Sequence, residues 1–200
     1  MQAGWAENQV AASTPIPHHE QDRRLRLYTN ETSRSLKQDA ASNGRGETMP
    51  KEFYYEDFYV GQKFNSLGQA KVTAEEIKEF GSKYDPQPFH LDEAAGENSF
   101  FKGLAASGWL TAAIVMRLRV QSITVAGGMI GAGVEEMRWT EPVRPGDSLR
   151  TEIEVVGVRQ SNSRKEFGVV RTRTLAFNQR DEVVMRSTVN FLAPVRPIGK

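Results

Sequence analysis

The 200-residue sequence contains no cysteine. That excludes a disulfide scaffold, a thiolate nucleophile, an iron–sulfur cluster and a cysteine zinc site. It also lacks a charge bias. Lys and Arg number 26 and Asp and Glu 25, a formal net charge of +1. A dedicated nucleic-acid binder would carry a basic excess, so no nucleic-acid partner is expected. Long apolar runs are missing too. The longest, near Trp109–Met116, is followed by Arg117 and Arg119, so no membrane span is expected.

Phenylalanine is absent from the first 48 residues, since all 10 lie at or after Phe53. Those 48 positions hold 14 apolar residues, against 63 in the remaining 152. Six basic and six acidic side chains cancel there. Such a segment buries too little apolar surface to offset its ordering entropy. Residues 1–48 are therefore expected to be a disordered N-terminal extension, and 49–200 the folded domain. The extension lacks the apolar core of a secretory signal. Its acidic residues Glu7, Glu20, Asp22, Glu31, Asp39 and Glu47 argue against a mitochondrial presequence. A cytoplasmic protein is the expectation, with Met49 as an alternative start.

In the folded part, Val60-Gly61-Gln62 reads as a turn into a first strand over roughly 63–73. Thr73-Ala74-Glu75-Glu76 has the capping-box pattern, with Thr73 as N-cap and Glu76 at the third helical position. Ile77, Phe80 and Tyr84 then share one face of a short helix, which Pro86 and Pro88 stop. Residues 85–106 read as irregular. A long helix follows over 107–123, apolar on most faces and hence central and buried. Beyond Gly127-Gly128 the pattern turns to strands: 129–139, an alternating stretch around 149–155, then 169–177 and 183–192. Antiparallel strands around one buried helix make an α+β layout.

The segment with chemical content is Asp85-Pro86-Gln87-Pro88-Phe89-His90-Leu91-Asp92. His90 is the only histidine after His19. Two prolines limit the backbone freedom between Asp85 and His90. The pair can then be held in the fixed relation that acid–base work on one water requires. Ser107-Gly108 opens the long helix, whose N-terminal N–H groups and positive end suit a developing oxyanion. By residue type alone, a single His beside Pro and Phe is most often structural. Taken alone, Ser107-Gly108 reads as an ordinary cap with glycine for packing. One His with scattered carboxylates has no metal-ligand spacing, so no metal is expected.

The spacing D-x-Q-P-x-H-x-D resembles the signature of MaoC-like dehydratases, the (R)-specific enoyl-CoA hydratases, over about residues 53–194. The resemblance implies a hotdog fold, a curved antiparallel sheet of about five strands wrapped around a long central helix. It implies Asp85 and His90 as the catalytic dyad and the Gly108 N–H as donor to the thioester oxygen. It implies reversible hydration of a trans-2-enoyl-CoA to a (3R)-3-hydroxyacyl-CoA, without a cofactor. A homodimer or higher homo-oligomer is implied as well. Family members commonly carry His-Gly where this chain has Ser107-Gly108, and Asn where it has Gln87. Ser107, Phe100, Phe101, Trp109 and Leu110 are the expected substrate-binding residues. Arg144, Arg159 and Lys165 are candidate cations for the CoA phosphates. The alternatives are a hotdog acyl-CoA thioesterase and a non-catalytic acyl-CoA or acyl-carrier binding module.

Overall fold

The computed structural model describes residues 51–197. The extension expected over 1–48 lies outside the described residues.

The stretch expected to be one strand over 63–73 is two. Strand β1 (Lys63–Asn65) and strand β2 (Ala70–Lys71) are separated by a bend at Leu67 and Gly68. Both pair antiparallel with one long strand, β4 (Ser148–Gln160). Helix α1 (Ala74–Tyr84) starts where the Thr73 side chain accepts a hydrogen bond from Glu76 N–H at 3.2 Å. Ile77 is fully buried and Phe80 packs partly against the same core. Tyr84, expected on that buried face, is largely exposed at the helix end, with its ring resting on Phe80.

Residues 85–106 are more ordered than their irregular composition implies. Two short helices, α2 (Pro88–Leu91) and α3 (Glu93–Glu97), lie there. Pro88 occupies the first turn of α2, where its missing N–H is not needed. Asp92 caps α3 by accepting from Ala95 N–H at 2.8 Å. At four and five residues each helix spans little more than one helical turn, too short for a sequence period to repeat.

Helix α4 (Gly108–Ser122) is the long helix. Leu110, Ile114, Val115 and Leu118 pack against Leu149, Ala176, Val184 and Met185 of the sheet. Burying each such side chain contributes about 1.5–3 kcal/mol. A second cluster closes the other end of the domain, where Ile123, Val125, Ile153, Val170 and Phe191 meet Phe58. The helix is not buried all round as expected. Trp109, Met116 and Val120 are exposed on the side away from the sheet.

The sheet has six strands, in the order β1-β4-β5-β6-β3 with β2 beside β4. Strands β4, β5 (Phe167–Phe177) and β6 (Val183–Pro194) follow one another as antiparallel neighbours. Strand β3 (Ile130–Trp139) precedes them in the chain but pairs with β6 at the far edge. That crossing brings Trp139, the last residue of β3, beside the first turn of α4. A Cβ on Gly108 would lie 2.7 Å from the Trp139 ring. No described helix is long and apolar enough to cross a membrane.

Candidate active site

Asp85 ends helix α1. Its backbone N–H donates to Gly81 O at 2.9 Å, and its φ of −149° turns the chain out of the helix. His90 sits on α2, almost fully buried. Gly81 lets the two helices approach, because a Cβ there would meet His90 Cβ and the His90 carbonyl at 3.1 Å. The prolines between them set the distance, and His90 Nε2 lies 3.4 Å from Asp85 Oδ2.

The other ring nitrogen fixes the tautomer. His90 Nδ1 is 2.6 Å from the Ala105 carbonyl oxygen. A carbonyl only accepts, so Nδ1 carries the hydrogen. In the neutral form this leaves the Nε2 lone pair as the ring's acceptor, 3.4 Å from Asp85 Oδ2. Two acceptors facing each other at that separation leave one proton, or one water, to be shared between them.

Ser107 joins the pair to helix α4. Its hydroxyl donates to Asp85 Oδ2 at 2.7 Å and accepts from Trp109 N–H at 3.2 Å. The side chain is fully buried, so the same oxygen caps the helix and orients the carboxylate. Gly108 follows at the first helical position, where its N–H has no intrahelical acceptor. A cavity of about 480 Å³ opens beside His90 and Gly108. His90, Ala106, Gly108 and Thr111 form its floor, with Phe101 and Trp139 among its walls. Among the described residues no cluster of three or more His, Cys, Asp or Glu is grouped to hold a metal ion.

A comparison with known families matches residues 57–179 to the MaoC like domain. This chain belongs to the MaoC-like dehydratase family. Among solved structures, a MaoC-like dehydratase from Rhodospirillum rubrum superposes with a TM-score of 0.69 and 48% identity. The match covers 73% of this chain and 99% of that one. R-hydratase PhaJ1 from Pseudomonas aeruginosa gives a TM-score of 0.60 and 27% identity, covering 74% and 93%. The 3-hydroxyacyl-thioester dehydratase Z of Mycobacterium tuberculosis is 28% identical over 138 residues, 67% of this chain and 91% of that protein. The fold is the hotdog, with a six-stranded sheet where about five strands were expected.

Within this MaoC-like site the expected residues separate. Asp85, His90, Ser107 and Gly108 come together, and Phe101 stands beside them, its ring 6.3 Å from His90. Phe100 borders the cavity from the rim, 93% exposed. Trp109 does not line the cavity. It is exposed and meets Trp139 edge-on at 5.5 Å. Leu110 is a core residue rather than a pocket one, packed with Ile114 against the sheet. The helical period explains this: Thr111, at i+3 from Gly108, shares its face, whereas Leu110 at i+2 does not.

Arg144 is committed to the protein rather than open to a ligand phosphate. Its guanidinium donates to the carbonyls of Phe101 and Leu104. Arg159 borders a different groove, with Arg171 and Asn190, and Lys165 lies in the turn between β4 and β5. Neither borders the cavity over His90. Sequence reasoning missed Thr111, Trp139 and Glu141. The signal available for the last two was their place at the end of a strand just before the Pro142 turn.

Proposed function

We propose that this protein reversibly hydrates a trans-2-enoyl-CoA to a (3R)-3-hydroxyacyl-CoA. The observation that carries the reading is the facing pair of acceptors, Asp85 Oδ2 and His90 Nε2, beside the free N–H of Gly108. The names of the similar R-hydratase and 3-hydroxyacyl-thioester dehydratase support the same class of reaction.

A water held between Asp85 and His90 attacks the β-carbon. Its oxygen forms the new C–O bond as its proton passes to the dyad. The π electrons of the double bond move toward the thioester carbonyl, whose oxygen gains negative charge and accepts from Gly108 N–H. The dyad returns a proton to the α-carbon, so the net change is addition of H and OH. No electrons leave or enter the substrate. Losing one acid–base partner costs on the order of 10²–10⁴ in rate, and losing one oxyanion donor about 3–4 kcal/mol.

The working unit in this reading is a homodimer. Trp109, Met116 and Val120 form an exposed apolar stripe along α4. Strand β3 leaves one edge unpaired among the described residues, with Ile130 and Val134 exposed. An open ten-residue edge next to an apolar helix face suits a second copy.

The test is turnover of a panel of trans-2-enoyl-CoAs, followed by loss of the enoyl-thioester absorbance. Hydration that collapses in both Asp85→Asn and His90→Ala is the expected result. Absence of turnover on every chain length, with protein folded, overturns the reading.

A further inference from the structure

We infer that this site selects uncharged acyl chains over carboxylate-bearing ones, and that Glu141 is the specificity residue that sets the preference. The inference rests on the acyl-CoA reading above and names the substrate class within it.

The charges around the cavity carry the argument. Among the described residues that line it, His90 and Glu141 are the ionisable ones, and the Asp85 carboxylate lies next to His90, 3.4 Å from its Nε2. Glu141 is exposed at the rim and has no ion-pair partner among the described residues. Its negative charge is therefore not neutralised by the protein. Among the described residues no Lys or Arg lines the cavity. Arg144, which follows lining residue Val143, has turned its guanidinium onto the Phe101 and Leu104 carbonyls.

The two hydroxyl donors of the lining are also occupied. Thr111 Oγ1 donates to Ser107 O at 3.4 Å, and the Thr140 hydroxyl donates to Val183 O. The remaining walls are aromatic or aliphatic, Phe101, Trp139, Ala106 and Val143 among them. A second carboxylate entering with the acyl chain would give up its water, find no cation, and meet the like charge of Glu141. A methyl group in the same place meets apolar surface and gains by burial.

Butyryl-CoA and succinyl-CoA isolate this effect. Both are saturated, so neither is hydrated, and they differ only by a terminal methyl or carboxylate. Their shared CoA phosphates cancel in the ratio of affinities. Calorimetric titration of the full-length protein is expected to favour butyryl-CoA by at least about tenfold. Glu141→Gln should narrow that ratio several-fold, and Glu141→Arg should narrow it further or reverse it. Equal affinities in the wild type, a ratio unmoved by both substitutions, or binding of neither ligand overturns the inference. The parallel hydration assay with crotonyl-CoA keeps the two readings apart. Selective binding without hydration overturns the hydratase reading and leaves the charge selection standing.

Discussion

The Ser107 hydroxyl donates to Asp85 Oδ2 at 2.7 Å, across 22 residues of sequence. One buried oxygen thereby caps the central helix and holds the Asp85 carboxylate beside His90. Removing it by Ser107→Ala should lower kcat about ten- to a hundredfold, since a hydrogen bond to a charged group contributes about 1.5–3 kcal/mol. KM should change far less. Loss of the cap should lower stability by about 1 kcal/mol. Steady-state kinetics with a melting curve separates the two effects; an unchanged kcat would remove Ser107 from the mechanism.

Gly108→Ala sets two effects against each other. Alanine favours a helix over glycine by about 1 kcal/mol. At this position its Cβ would sit 2.7 Å from the Trp139 ring, closer than atoms approach. The clash should win, with lower stability and loss of activity. Adding Trp139→Ala should restore the melting temperature toward the wild-type value.

Arg119, in the last turn of α4, is buried with no carboxylate partner among the described residues. It donates to Thr172 Oγ1 at 2.7 Å, lies over the Phe191 ring, and leaves Nε unpaired. Burial pulls its guanidinium down to about 10. A basic group lowered in this way is a liability of the fold wherever it is charged, and the liability is fully present below pH about 10. Above that pH the unfolded chain holds more protons, so this group's contribution to stability rises with pH. Arg119→Met with Thr172→Val removes both buried partners together. Such replacements are often neutral or stabilising by about 1–4 kcal/mol. The double variant should melt no lower than the wild type at neutral pH, and a lower melting temperature would contradict this account.

Met116 lies mid-way along the exposed stripe of α4. A Met116→Glu substitution puts a charge on the face proposed to meet a second copy. Sedimentation should show the wild type as a dimer and the variant shifted to monomer, with the melting curve of the variant still cooperative. A wild-type monomer would remove the proposed interface.

Arg144 ties down the loop that carries Phe101. Arg144→Met frees the Phe101 and Leu104 carbonyls, and the loop with its positive-φ residues Lys102 and Gly103 should loosen. KM for enoyl-CoA should rise several-fold, with kcat less affected. An unchanged KM would show that this clamp does not shape the pocket.

Much of this architecture is written in local pattern. The alternation Leu149, Thr151, Ile153, Val155 gives a strand directly, and all four residues are buried in β4. The Thr73 cap and the Pro86–Pro88 stop bound α1 by local chemistry alone. What was not legible depends on distant pairing. The break between β1 and β2 follows from where each meets β4. Trp139 reaches Gly108 only because β3 crosses to the far side of β6. Arg144 looked like a free surface cation, and only the folded loop supplies the carbonyls that occupy it. The exposed side of α4 reads as core in sequence, since apolar character does not say whether sheet or second copy covers it.

The central claim is that Asp85 and His90 direct water to the β-carbon of an enoyl thioester. The most direct test is turnover of crotonyl-CoA in H₂¹⁸O, with mass analysis of the product and Asp85→Asn alongside. The account predicts 3-hydroxybutyryl-CoA with one ¹⁸O on carbon 3, an intact thioester, and loss of the product in the variant. Free CoA with ¹⁸O in a released carboxylate, or a variant as active as the wild type, would contradict it.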